Sequence, residues 1–366
     1  MKVLILSCST GGGHNSCAKY ILEEFKENNI EAVFKDFYDI VNVKVKKVTE
    51  KMYLSSLAGN GEVFKNVYKL GELYSKTKIK SPVYLFNKLY RHKLYSYIIE
   101  NDFDVVITTH LFPALTLTAI NKYIYPKRVK FITVATDYEP CPFLEESKSD
   151  YLVIQKGLEE RFISKGIAKK TLLNTGIIVS SRFIREARNI RTELMIKENE
   201  QVILIMLGSM GFGRVDEILE ELLKRNNLKI MVVCGTNQKL YSELERINNP
   251  RLLLFPFIHN MNELISTADV VLSKPGGLSS TEVASIGKPL LHVFPIPGIE
   301  TYNTKFFEEN KMSFSCSTKE EIVEKVNMLL DDVNLQEELV KNQRRMINQE
   351  SANCLVEKTI ELVNDK

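Results

Sequence analysis

The stretch KPGGLSSTEVASIGKPLLHVFPIPGIETYN, Lys274 to Asn303, decides how this chain is read. It follows the apolar run Val270–Ser273 and contains a second, Leu290–Phe294, with Ser279–Ser285 reading as a helix between them. Short apolar runs alternating with helices predict a parallel sheet covered on both faces. The Gly276–Gly277 pair ends the first run, where a turn without Cβ atoms lets backbone N–H groups approach a ligand closely. Glu282 falls one turn into the helix, and its carboxylate can accept hydrogen bonds from a diol. Pro295, Ile296, Pro297 and Gly298 then set a rigid turn carrying Glu300 and Asn303. Those two can bind ligand hydroxyls or simply cap the following helix.

Upstream, Val202–Leu207, Lys229–Cys234 and Leu252–Phe255 continue the strand series, with helices at Val215–Lys224, Lys239–Arg246 and Met261–Ser266. The sequence LGSMGFG leaves the first of these strands and enters a helix, so Gly208, Ser209 and Gly211 offer N–H donors at a helix's positive end. Lys274, Gly276, Gly277 and Ser279 form the second such loop. Neither loop is specific alone. Two at adjacent strand ends, with Glu282 available for ribose hydroxyls, describe a nucleoside diphosphate site. Phe257 and Ile258 follow Leu252–Phe255, where contact with a flat base and a plain hydrophobic wall are both open readings.

The N-terminal half repeats the alternation, with strands at Val3–Leu6, Ala32–Phe37, Val105–Thr108, Lys130–Val134, Tyr151–Ile154 and Leu172–Asn174. The turn STGGGH joins the first strand to a helix, and Gly12 and Gly13 permit close approach of a substrate. It is neither GxGxxG nor a P-loop. His14 opens the helix, where the dipole depresses its pKa. General base and ordinary hydrogen-bonding residue are both open for it. The fold class is α/β: two Rossmann-like domains facing across a cleft. Residues 1–180 form the first, completed by a terminal helix over 347–366, and 200–346 form the second. The charged segment 181–199 reads as a largely helical connector, and Leu335–Val363 as one long helix.

A length of 366 residues suits two domains, and 44% hydrophobic residues suffice for two cores. A net charge of +3 argues against a dedicated nucleic-acid binder. Six cysteines without a CxxC pair fit reduced thiols in the cytosol. MKVLILSC reads as a buried strand rather than a signal peptide, and no apolar run of ~18 residues spans a membrane. Residues 44–97 stand apart: twelve Lys and Arg face only Glu50, Glu62 and Glu72, with seven Tyr and two Phe interleaved. Such a segment can lie on an anionic bilayer, at roughly 1 kcal/mol per near-surface Lys or Arg. A helical insertion with inward rings and solvated lysines is the competing reading.

The motifs STGGGHNSCA, TTHLFPA, ATDYEPCPF, GSMGFG, NMNELISTADVVLSKPGGLSSTE and PIPGIETYN together resemble the monogalactosyl- and processive diacylglycerol glycosyltransferases, related to the MurG lipid-linked glycosyltransferases. The resemblance covers nearly the whole chain. It implies the GT-B arrangement, with a UDP-hexose held in the C-terminal domain and a diacylglycerol or glycolipid acceptor entering the N-terminal domain from the membrane. It makes His14 the acceptor's general base, with Asp137 supporting the acceptor or orienting His14. Gly208 to Gly211, Lys274 to Gly277 and Glu282 would hold UDP, and Glu300 and Asn303 the sugar. Residues 44–97 would contact an anionic membrane, placing the enzyme peripherally on its cytoplasmic face. Two departures stand out: Cys141 where many relatives carry a histidine, and Ile178 in GIIV where GIPV is usual.

The expected reaction moves glucose or galactose from the UDP-sugar to the lipid hydroxyl with inversion. No DxD-like clamp adjoins the diphosphate loops, so no metal or cofactor beyond the donor substrate is expected. A UDP-sugar epimerase of the same architecture, and a membrane-surface module sensing UDP-sugars, are the alternatives.

Overall fold

The computed structural model describes residues 1–9, 12–57, 62–77, 79–123, 126–185, 187–206 and 215–365. Contacts divide the chain into two units: 1–180 with 296–299 and 349–366, and 181–295 with 300–348. In the first unit, β1 (Lys2–Ser7), β2 (Glu31–Asp36), β3 (Val105–Thr108), β4 (Lys130–Val134), β5 (Tyr151–Val153) and β6 (Leu172–Leu173) form one sheet in the order β2-β1-β3-β4-β5-β6. Every pairing is parallel, with Leu4 opposite Val33 on one side and Val106 on the other. The buried apolar runs in β1, β3 and β4 explain this, because a central parallel strand is covered on both faces.

The second unit holds β7 (Gln201–Met206), β8 (Leu228–Val233), β9 (Leu252–Phe255), β10 (Val270–Ser273), β11 (Leu290–Val293) and β12 (Phe314–Cys316), ordered β12-β11-β10-β7-β8-β9 and again all parallel. Its core gathers Ile203, Ile205, Ile230, Val232, Leu272 and Leu291 with helix residues such as Ile218 and Val326. His292 is satisfied on both ring nitrogens there: it bonds Ser280 Oγ through Nε2 (2.9 Å) and Ser313 Oγ through Nδ1 (3.1 Å).

Several expectations need correction. The charged connector is not largely helical: it holds one short helix, Arg182–Arg185, followed by turns, and belongs to the second unit. Arg191 fastens it there by donating to Asp269 Oδ2 at 2.7 Å. The long terminal helix is two, Val333–Met346 and Ser351–Asn364, interrupted where Ile347 turns extended and the chain passes from one unit to the other. Strand β2 stops at Asp36 because that carboxylate caps the next helix, accepting from Tyr38 N at 2.9 Å. Strand β12, three residues long, was too short to leave a pattern in the sequence.

Burial pushes the His292 pKa down from 6.5 to about 3. The unfolded chain therefore takes up a proton that the folded domain refuses, so stability is full above pH 6.5 and falls as pH drops toward 3. Urea unfolding at pH 7.5 and pH 5 should show about 2 kcal/mol of loss from this group. His292→Gln should flatten that dependence.

Candidate functional site

In the first unit, the loops leaving β1, β3 and β4 meet around one imidazole. Gly12 and Gly13 begin the helix Gly12–Glu27, with His14 as its third residue. His14 Nδ1 lies 2.8 Å from the Thr109 carbonyl and 3.1 Å from Thr136 Oγ1, while Thr109 Oγ1 donates to His14 O at 3.0 Å. A carbonyl only accepts, so Nδ1 carries the proton and Nε2 keeps its lone pair. Thr136 Oγ1 donates to Asp137 Oδ2 at 3.1 Å, which leaves its lone pairs for Nδ1–H. Asp137 thus reaches His14 through a hydroxyl relay. Burial lowers the His14 pKa, and the Asp137 charge partly opposes that shift.

His110 packs edge-on against His14, with ring centroids 4.8 Å apart. Its Nδ1 accepts from Phe112 N at 3.2 Å, capping the helix Leu111–Lys122, and burial holds its pKa well below 6.5. Asp36 steadies the turn before His14: its Oδ2 accepts from Ser9 N at 3.0 Å and from Ser9 Oγ, while Asn15 Nδ2 reaches Ser9 Oγ at 3.3 Å. Sequence reasoning missed Asp36, Thr109 and Thr136. Each stands at or just past the C-terminal end of a parallel strand, which is the signal that could have found them.

Pro297 and Gly298 fall in the first unit, where Gly298 has φ +123° and a Cβ there would sit 3.1 Å from the Phe64 ring. The positive φ favours glycine, and a side chain there would also press on that ring. Burial pushes the Cys141 thiol up to about 12, so it stays protonated at neutral pH.

In the second unit, β10 runs into Lys274 and Gly276, and the helix Gly277–Ile286 follows, presenting its positive end. Asn303, fully buried, donates from Nδ2 to Pro275 O at 2.9 Å and so ties the helix Ile299–Glu309 to this loop. Ser279 Oγ donates back to Gly276 O at 3.3 Å, and a Cβ on Gly276 would lie 3.0 Å from that hydroxyl. Glu282 is buried within the helix. Burial lowers the Lys274 pKa and the Glu300 carboxylate opposes it. Phe257 is exposed beyond β9 beside half-buried Ile258. Gly208, Ser209 and Gly211 lie outside the described residues. Among the described residues, no group of three or more His, Cys, Asp and Glu is placed to hold a metal ion.

Residues 14–179 match the family model for monogalactosyldiacylglycerol (MGDG) synthase, and residues 202–359 that for the glycosyltransferase family 28 C-terminal domain. The chain carries a glycosyltransferase family 28 C-terminal domain. It is 28% identical to a processive diacylglycerol β-glucosyltransferase of Bacillus pumilus, over 98% of this chain and 94% of that protein. Among solved structures it resembles MurG of Acinetobacter baumannii, with a TM-score of 0.64, 16% identity and coverage of 98% and 99%. UDP-GlcNAc 2-epimerase of Neisseria meningitidis bound to UDP-GlcNAc is also similar, at 0.62, 16%, 99% and 100%. The two parallel sheets are those of the GT-B fold.

Removing the Asp137 charge takes away what favours the imidazolium. Asp137→Asn should therefore lower the His14 pKa further, read by histidine NMR titration against wild type.

Proposed function

We propose that this family 28 glycosyltransferase moves glucose from UDP-glucose to the hydroxyl of diacylglycerol or a glycosyl-diacylglycerol, inverting the sugar. The observation that carries it is His14, held as the neutral Nδ1–H tautomer by Thr109 O with Nε2 left basic. Nε2 takes the acceptor's proton as its oxygen bonds the anomeric carbon. The bond to UDP breaks on the opposite face, and UDP leaves with the electron pair. The name of the Bacillus relative supports glucosyl over galactosyl transfer and a β product, which from an α-linked donor means inversion.

The donor diphosphate is assigned to the amide groups opening Gly277–Ile286, with Gly208, Ser209 and Gly211 as further donors and Glu282 for the ribose. Lys274, a buried cation, has an ammonium that gains from an incoming phosphate. Glu300 is assigned to the sugar, and Asn303, through Pro275, to the shape of the loop beneath it. No metal is assigned to the reaction.

The described residues of 44–97 are largely helical: Val43–Leu57, Glu62–Ser75, Pro82–Lys88 and Arg91–Glu100. Their tyrosines turn largely inward; Tyr68 and Tyr84 are buried, and Tyr90, Tyr95 and Tyr97 pack on the core. What faces outward is aliphatic. Val63, Val67, Leu70 and Leu73 are each more than half exposed at helical spacing, as are Ile79, Leu85 and Leu89, with Lys65, Lys69 and Lys76 among them. No described helix is long and apolar enough to cross a bilayer. This face, apolar with a basic fringe, supports peripheral docking by shallow insertion into an anionic membrane.

Purified protein with diacylglycerol-containing liposomes should convert UDP-glucose into a glucolipid; release of a free epimerised sugar nucleotide instead would overturn the reading in favour of the epimerase. His14→Ala should cut turnover on the order of 10²- to 10⁴-fold while leaving UDP affinity unchanged. The double variant Val67→Asp, Leu70→Asp should weaken sedimentation with anionic vesicles by about tenfold or more, since ~1.4 kcal/mol suffices for that factor.

A further inference from the structure

The loop that follows β10 opens from the C-terminal rim of the second sheet. Its other rim carries a different feature. Asp269 immediately precedes β10 and Lys288 and Pro289 precede β11, so all three stand at the N-terminal ends of their strands. With one face of the helix Val333–Met346 they line a cavity of about 630 Å³. The helix is pinned in place: Gln343 Nε2 donates to Lys288 O at 3.0 Å and to Met312 O at 2.9 Å, and Gln336 Nε2 donates to Leu329 O at 2.6 Å. The wall exists without a ligand.

The charge of this cavity is unbalanced. Asp269 is committed, since its Oδ2 accepts from Arg191 Nη2 and from Val202 N, both at 2.7 Å. Lys288, Lys341 and Arg344 also line the cavity, and none of them forms an ion pair with a described carboxylate. Glu337, exposed at the edge, is the one other acid in the lining. Three cations therefore stand against one uncommitted carboxylate. Arg344 lies along Gly287, its guanidinium nitrogens 3.6 and 3.7 Å from where a Cβ would be, so a larger residue at 287 would displace it. Burial lowers the Lys288 pKa, with Asp269 opposing and Arg191 adding to the shift. An ammonium that has lost water without gaining a counter-ion favours an anionic partner strongly. A guanidinium fork and two ammonium groups suit the oxygens of a phosphate.

We propose that Lys288, Lys341 and Arg344 form a second anion site, which takes a phosphate group at the rim of the domain away from the donor loops. The group can be free or carried by a phospholipid headgroup, and the experiment separates the two. Calorimetry at constant ionic strength, with UDP present to occupy the donor loops, would titrate inorganic phosphate in one arm and dioctanoyl phosphatidic acid in the other. Saturable binding in either arm, weakened at least tenfold by Lys288→Met and by Arg344→Gln with UDP affinity unchanged, is the expected result. Binding in the first arm assigns the free ion; binding confined to the second assigns the headgroup. No binding in both arms, or equal binding by wild type and variants, overturns the proposal. Arg344→Gln alters an exposed side chain without a structural bond, so it carries the test even where Lys288→Met disturbs folding. UDP uptake is read separately, so loss of the donor reading and loss of this one are distinguishable.

Discussion

Parallel pairing throughout both sheets is the constraint on which the rest depends. When all strands point one way, every loop leaving a strand's end opens on the same rim. In the first sheet β1, β3 and β4 are consecutive neighbours, so His14, Thr109 and Thr136 come from three distant stretches of sequence and converge on one ring. In the second, β10 lies beside β7, and Lys274 N donates to Met206 O at 3.4 Å where the two strands end. Chemistry is concentrated by direction before any side chain is chosen.

The side chains then set protonation by burial more than by charge. His14, His110 and His292 are all pushed toward the neutral form by loss of water. Of the three, His14 has the Asp137 carboxylate opposing that push, and its fixed tautomer leaves a basic nitrogen. His292 sits between two serine hydroxyls in the core and acts as a packed polar residue. Three similar shifts thus accompany three different roles. Geometry distinguishes them where pKa does not.

Much of the architecture was legible in sequence because buried parallel strands write themselves as apolar runs, as in VLIL and VVLS. Short glycine turns marked where those runs end, and His14 and the Gly276–Gly277 pair could be picked out from that alone. The failures have physical causes. Charge composition cannot distinguish a helical connector from an extended one anchored by Arg191, and amphipathic spacing ran straight through Ile347 because both flanking helices are amphipathic. In 44–97 composition left interfacial and inward rings both open; Tyr68, Tyr84, Tyr90, Tyr95 and Tyr97 pack inward and leave aliphatic residues outside. Asp36 was invisible because its partner Ser9 is 27 residues away.

The helix Ser351–Asn364 packs on Gly12–Glu27 and β4, with Ser351 Oγ donating to Ile177 O and Lys130 Nζ gripping the carbonyls of Leu362 and Val363. During vectorial synthesis, the unit that begins first therefore waits longest for its last wall. Everything needed to close the second sheet has emerged by residue 348, so that later-encoded half can consolidate while the earlier one still exposes a greasy flank. A nascent chain stalled between those two points would be a natural client for a holding chaperone.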